Sequence, residues 1–232
     1  MKNILKIFIF GIVLTMTTNV FAQTYGVRAG LNLSNVLYKL GDVEDSRYNM
    51  NPGFHVGATV DIPISGIFSF ESGLMFSTKG YKHSFEGLFV NEEGISQNGK
   101  IETTMNLYYL EIPLTAKASF DIGGAKIYGL FGPYLGLGLS RKINEKVTMD
   151  TDTETHKSKY SWPSEENGGY KRLDYGLVFG AGVEIKAFQI GVNYGLGLAN
   201  LHYKQEIESP NQVNTSMKNR VLGISLGYRF GL

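Results

Sequence analysis

The chain has 232 residues, with 22 Lys+Arg against 21 Asp+Glu, 29 glycines, 12% aromatic residues and no cysteine. A formal charge of +1 gives no reason to expect nucleic acid as a partner. The missing cysteines exclude a disulfide framework and a lipid-modified N-terminal cysteine. The length fits one domain or one small barrel.

Residues 1–22 have the form of a secretory signal peptide. Lys2 and Lys6 give a positive start, Ile7 to Leu14 form a short apolar core, and Val20-Phe21-Ala22 makes a small-residue cleavage site before Gln23. The apolar run is too short to span a membrane as a helix. Cleavage between Ala22 and Gln23 leaves 23–232 as one mature domain. Losing Lys2 and Lys6 takes the basic count from 22 to 20 against 21 acidic residues, a charge near −1. The expected product is secreted, periplasmic or outer-membrane, in a Gram-negative-type cell.

From Thr24 onward the chain alternates. In Tyr25-Gly26-Val27-Arg28-Ala29-Gly30-Leu31-Asn32-Leu33-Ser34, every second residue is apolar and the others are glycine, polar or charged. That period of two predicts a strand between an apolar and a polar medium. Seven more such segments follow, at about 52–63, 67–80, 104–117, 125–140, 172–187, 188–203 and 218–230. No charge falls on any apolar face. The polar faces carry Arg28, His55, Asp61, Glu71, Lys79, Glu111, Lys117, Asp174, Glu184, Lys186 and Arg229, together with most of the strand glycines. A lipid-facing Lys or Arg at mid-bilayer costs about 2–4 kcal/mol, so a membrane selects this segregation. Small residues on the polar face suit a narrow lumen.

Connections alternate in length. Those at 36–51, 81–103, 141–171 and 204–217 are long, whereas 63–66, 120–124 and 186–189 are short. Long extracellular loops and short periplasmic turns are the organisation of outer-membrane barrels, and an even strand number puts both termini in the periplasm. Tyr25, Phe68, Phe188, Tyr228 and Phe230 fall where a periplasmic aromatic belt belongs. The predicted fold is therefore all-β: an eight-stranded antiparallel up-and-down transmembrane barrel. Pro113 and Pro133 lie inside strands, where proline cannot donate to a ladder, so bulges are expected there.

Catalytic patterns fail on context. Gly223-Ile224-Ser225-Leu226-Gly227 matches a nucleophile elbow, but that motif needs a following helix and later Asp and His, and five residues remain. Asp150-x-Asp152-x-Glu154 opens like a calcium loop, yet Thr155 and Ser161 stand where glycine and glutamate are needed. His55, His83, His156 and His202 show no metal-ligand spacing. No enzyme, cofactor or metal is expected. Instead Arg28, Glu71, Glu111, Lys117, Glu184 and Arg229 share one enclosed face, where buried charges need partners. They are expected to form an ion-pair network that plugs the lumen.

The mature N-terminal segment Gly26–Ser34 resembles the opening strand of the PorT-like outer-membrane β-barrel family. Tyr108-Tyr109-Leu110-Glu111-Ile112-Pro113-Leu114 resembles its most recognisable internal motif. Tyr128–Tyr134, Asp174–Leu177 and the closing Leu226-Gly227-Tyr228-Arg229-Phe230 are also similar. The resemblance covers nearly the whole mature chain and implies an eight-stranded outer-membrane barrel. Its namesake belongs to a protein-secretion and gliding system. Assembly signals of such barrels usually end on the aromatic, which points to Tyr228 and Phe230, although Gly231-Leu232 follow. Expected partners are outer-membrane lipid, the barrel assembly machinery and an extracellular or envelope protein reached through the loops, above all 141–171. The expected role is a structural or interaction anchor. The rivals are a small porin-like pore or conduit for small or lipid-like molecules, a component of a protein-secretion or gliding system, and a lipid-modifying barrel using His83-Ser84 or His156.

Overall fold

The computed structural model describes residues 23–40, 43–45, 48–90, 96–149, 152–161, 170–202 and 215–230. The signal sequence with Ala22, and Gly231-Leu232, lie outside them. The strands in chain order are β1 (Thr24–Leu40), β2 (Val43–Asp45), β3 (Tyr48–Asn49), β4 (Asn51–Ser65), β5 (Phe68–Val90), β6 (Ser96–Asp121), β7 (Lys126–Met149), β8 (Asp152–Ser161), β9 (Leu173–Ile185), β10 (Phe188–Gly197) and β11 (Thr215–Phe230).

Among the described residues eight of these form a closed antiparallel ring, β1-β4-β5-β6-β7-β9-β10-β11, and β11 returns to β1. Closure runs from Tyr25 opposite Phe230 to Leu40 opposite Thr215. Chain neighbours in the ring are neighbours in space, which makes the barrel up-and-down. Tight turns at one end use left-handed backbone: Gly66, the Gly123-Gly124 pair and Lys186 all have positive φ.

The ring is inverted relative to a soluble protein. Leu31 is 69% exposed and Leu226 56%, within a band of outward apolar residues on every ring strand. Lys117, at 1%, and Asp174, at 0%, are buried inside. Aromatics rim the band. Phe188, Tyr228 and Phe230 meet edge-to-face in sequence at the turn end, with centroids 5.3 and 5.2 Å apart. Phe54, Phe76 and Tyr108 form a second run at the other end, at 5.8 and 6.1 Å. Girdles of aromatic residues flank the apolar band of outer-membrane barrels at both interfaces, so these clusters mark them.

Beyond the second cluster β5, β6 and β7 continue, and β8 adds to β7. Residues 81–90, 96–103, 141–149 and 152–161, expected as loops, are instead paired strands of a sheet rising from the barrel. Strand seven of the sequence reading is shorter than expected, since β10 ends at Gly197. The reason is a change of solvent. Once a strand leaves lipid its outward face meets water, so apolar residues move inward: Tyr81 on β5, Leu107 and Met105 on β6 and Ile143 on β7 pack over the mouth. The outward positions become Lys, Glu, Asn and Thr, a composition that mimics a loop. In β7 a bulge accomplishes the switch. Tyr108 pairs with Ser140 and Tyr109 with Gly138, leaving Leu139 as the extra residue and reversing the faces above it.

The expected bulges at the two prolines are corrected. Beside Pro113, pairing of β5 with β6 skips from Ser72–Leu114 to Met75–Glu111. Beside Pro133, pairing of β6 with β7 skips from Pro113–Tyr134 to Ala116–Phe131. The register is unchanged across both gaps. A missing proline donor thus costs ladder bonds without inserting a residue, and Ser72 Oγ donates to the Pro113 carbonyl at 2.9 Å.

A charge in the middle of the apolar band measures the lipid contact. Leu226→Arg should destabilise the folded barrel by about 2–4 kcal/mol in urea titrations from vesicles, whereas Leu226→Val should change it little.

Candidate functional site: the filled lumen

The lumen is occupied in three layers. The layer nearest the turns takes one side chain from every ring strand: Arg28, Asp61, Glu71, Lys117, Tyr128, Glu184, Gln189 and Arg229. Lys117 Nζ lies 2.9 Å from Asp61 Oδ2 and 3.5 Å from Glu71 Oε2, and also contacts Glu184. Arg28 reaches Glu71 Oε1 at 2.8 Å and donates to Gln189 Oε1 at 3.2 Å. Gln189 Nε2 donates to Glu184 Oε1 at 2.7 Å. Arg229 closes the circuit onto Glu184 Oε2 at 2.6 Å and Asp61 Oδ2 at 3.7 Å. The Tyr128 ring lies beneath Lys117 Nζ at 4.7 Å. Three cations face three carboxylates, so the layer is charge-neutral as a unit.

Room for Tyr128 comes from glycine. A Cβ on Gly182 would stand 2.5 Å from the Tyr128 hydroxyl, so no larger residue fits opposite it without movement.

The middle layer is built on Lys79. Its Nζ lies 2.8 Å from Asp174 Oδ2 and contacts Glu111, with the Tyr134 and Tyr109 rings 4.2 and 5.2 Å away. Asn219 Nδ2 donates to Asp174 Oδ2 at 2.9 Å. Between this layer and the first is a cavity of about 100 Å³, bordered by Arg28, Asn32, His55, Glu71, Lys79 and Glu111 among others. It has room for about three waters. His55 Nδ1 and Asn32 Oδ1 share a hydrogen bond of 2.8 Å, and Asn32 Nδ2 donates to the Thr78 carbonyl at 3.0 Å.

The outer mouth is closed by an apolar and aromatic layer. Val36, Tyr81, Met105, Leu107, Tyr109, Leu201 and Met217 are its buried centre, with Tyr38, Tyr48, Ile143 and Tyr170 packed against them. Tyr81 and Tyr170 share a hydroxyl hydrogen bond of 3.1 Å. Tyr48 meets Tyr38 and Tyr81 at 5.2 and 4.9 Å, and Tyr170 meets His202 at 5.1 Å. Burial lowers the His202 imidazole below its ordinary value, and the Arg141 guanidinium lies over the Tyr170 ring at 5.5 Å.

Of the sequence-derived residues, Arg28, Glu71, Lys117, Glu184 and Arg229 come together in the first layer, while Glu111 lies apart with Lys79. Asp61, Lys79 and Asp174 were visible on the polar faces but were not placed in the network. Tyr109, Tyr128 and Tyr134 occupy lumen-facing positions of β6 and β7, a parity signal that could have found them. Tyr228 and Phe230 face outward, and Gln23 accepts a hydrogen bond from Tyr25 Oη at 3.0 Å. His83 and Ser84 are adjacent on one strand and so point to opposite faces. Among the described residues no group of three or more His, Asp or Glu has metal-holding geometry. Trp162-Pro163 and Gly168-Gly169 of the favoured loop lie outside the described residues.

Removing the central ammonium tests the first layer. Lys117→Met leaves Asp61, Glu71 and Glu184 facing one another and should cost about 3–5 kcal/mol. The loss should appear as a lower urea midpoint for the gel-mobility shift of the folded form.

No curated protein matches the chain. Solved structures similar to it include Ail, the attachment invasion locus protein of Yersinia pestis, in complex with the heparin analogue sucrose octasulfate. The identity is 16%, covering 90% of this chain and 99% of that one, with a TM-score of 0.33. Neisserial surface protein A is 13% identical, covering 89% and 97%, at a TM-score of 0.40. OprG from Pseudomonas aeruginosa is 14% identical, covering 91% and 97%, at 0.37. The model for the outer membrane protein beta-barrel domain matches residues 21–203, most of the closed ring described above. The chain belongs to the outer membrane protein beta-barrel domain family.

Proposed function

We propose that this protein is a non-enzymatic, non-conducting anchor in the outer membrane, which presents the β5–β8 sheet and its neighbouring connections to the exterior. The observation that carries the reading is the lumen. Ion pairs fill it near the turns, Lys79 and its carboxylates fill its middle, and tyrosines and aliphatic side chains seal its mouth. An eight-stranded barrel has little width beyond what side chains occupy, and the roughly 100 Å³ cavity lies between two filled layers. The sheet beyond the membrane, with its exposed polar face, is the part available to an envelope or extracellular protein partner.

The proposal includes export by the 1–22 signal, assembly through the Tyr228–Phe230 end, and a place among PorT-like members, supported by the Tyr108–Leu114 motif. A role inside a secretion or gliding machine rests on that motif alone and is not adopted.

Pure folded protein in planar bilayers should show no sustained unitary conductance. Stable single-channel steps would replace the anchor reading with the pore. Independently, the first residue of the chain isolated from outer membranes should be Gln23, and an intact Met1 would remove the signal-peptide part of the proposal.

A further inference from the structure

The sheet beyond the membrane has two outer edges, and they are built differently. β8 ends it on one side, and among the described residues it pairs with β7 alone. β5 ends it on the other. The lower part of β5 pairs with β4 and then, at Lys82 and His83, with Asn49 and Tyr48 of β3. Above His83 no described strand pairs with β5 on that side, whereas β6 stays paired with it as far as Val90. Alternate residues of Ser84–Val90 therefore point backbone N–H and C=O groups away from the sheet.

The β8 edge is guarded. Asp152, Glu154, His156, Lys157 and Lys159 fall within its ten residues, and charged side chains on an edge, lysine above all, discourage a further strand. The β5 edge reads Ser84-Phe85-Glu86-Gly87-Leu88-Phe89-Val90, with one charge, no lysine and no proline. That charge is already engaged, since Glu86 Oε1 lies 3.2 Å from Lys100 Nζ. Leu88, on the face it shares with Glu86, is 72% exposed. Phe85 and Phe89 share the other face, their ring centroids 6.1 Å apart, and Phe85 is 46% exposed. A Cβ on Gly99 would clash with the Phe89 ring and stand 2.7 Å from Met149 Sδ, so that ring covers β6. Val147 stands opposite Ile101, and Ile101 opposite Phe85. An apolar strip thus crosses three strands, reaches the open edge and stops there.

We propose that the β5 edge, Ser84–Val90, docks an extended segment of a partner protein, which adds to the sheet as a further antiparallel strand. The inference rests on the anchor reading and supplies the kind of partner that the sheet receives. The chemistry of the occupant follows from the edge. An extended backbone matches its alternating donors and acceptors. Apolar side chains of the segment continue the strip beside Phe85 and Phe89, and one on the other face covers Leu88. β3 already pairs with this edge at Lys82 and His83, so the added strand prolongs a ladder and takes its antiparallel sense. A second copy in the same membrane carries its own β5 in the same upward direction and cannot pair antiparallel with it.

The test uses the folded mature chain in phosphatidylcholine nanodiscs, with empty nanodiscs as the blank. The probe is a short synthetic peptide alternating valine and threonine on a solubilising tail, with a fluorophore and a photoreactive benzophenone. Main-chain bonds supply the affinity in strand addition, so this generic sequence suffices. It should bind the protein and, on irradiation, label β5 within 84–90. The same peptide methylated on every backbone nitrogen should not bind. Leu88→Lys, which places a guarding charge at a largely exposed position, should weaken binding about tenfold. Heat-shifted gel mobility checks that this variant is folded; if it is not, the labelling pattern on unmodified protein decides. Absence of binding, equal binding of the methylated peptide, labelling of β8 instead, or indifference to Leu88→Lys in the folded variant would overturn the proposal. None of these outcomes depends on whether the lumen conducts.

Discussion

Hydrocarbon offers no hydrogen-bond partner to a peptide group, so a strand in lipid must be bonded on both sides. Everything else here depends on that constraint. It requires β11 to return to β1 along sixteen paired residues, and it removes the free edges that an open sheet would expose to aggregation. It also explains how the two prolines are tolerated. Each interrupts a few ladder bonds, but neither shifts the register, because a shift would turn apolar side chains into the lumen and charged ones into lipid.

Closing the sheet creates an interior shielded from bulk solvent. The chain fills that space with groups that satisfy one another. Charges sit in balanced contact near the turns, and a lysine between two carboxylates is steadied by tyrosine rings in the middle. At the mouth, aromatic packing takes over where the surrounding medium changes from lipid to water. The same strands thus carry two opposite patterns. Below the Phe76–Tyr108 edge apolar residues point out, and above it they point in.

That reversal decides how much could be read from sequence. Within the membrane, alternation in segments such as Tyr25–Ser34 and Leu173–Ile185 is clean, and strand number, orientation and lumen-facing parity follow from it. Above the membrane, Lys100, Glu102, Thr104 and Asn106 are outward residues of a strand in water, indistinguishable in composition from a loop. The Leu139 bulge adds a second difficulty. Apolar residues of β7 stay at odd-numbered positions on both sides of it, from Leu135, Leu137 and Leu139 to Ile143 and Val147, although they change faces at that residue. Lumen partners were half legible for a related reason. Parity placed Asp61, Lys79 and Asp174 inside, but which inward charges meet depends on the stagger between distant strands. That stagger put Glu111 with Lys79 and left the other five sequence-derived charges together in the turn-side layer.

The turn-side layer draws one side chain from each of the eight ring strands, and this makes it a kind of combination lock. A ring lacking its last strand has no Arg229 to neutralise Glu184 and Asp61, and a ring lacking β1 leaves Glu71 without Arg28. A ring closed one residue out of step would aim the wrong parity at the centre. The lowest-energy arrangement of the charges therefore exists only for the complete barrel in one register. The charge balance of this layer is thus a property of the whole ring and of no smaller part of it.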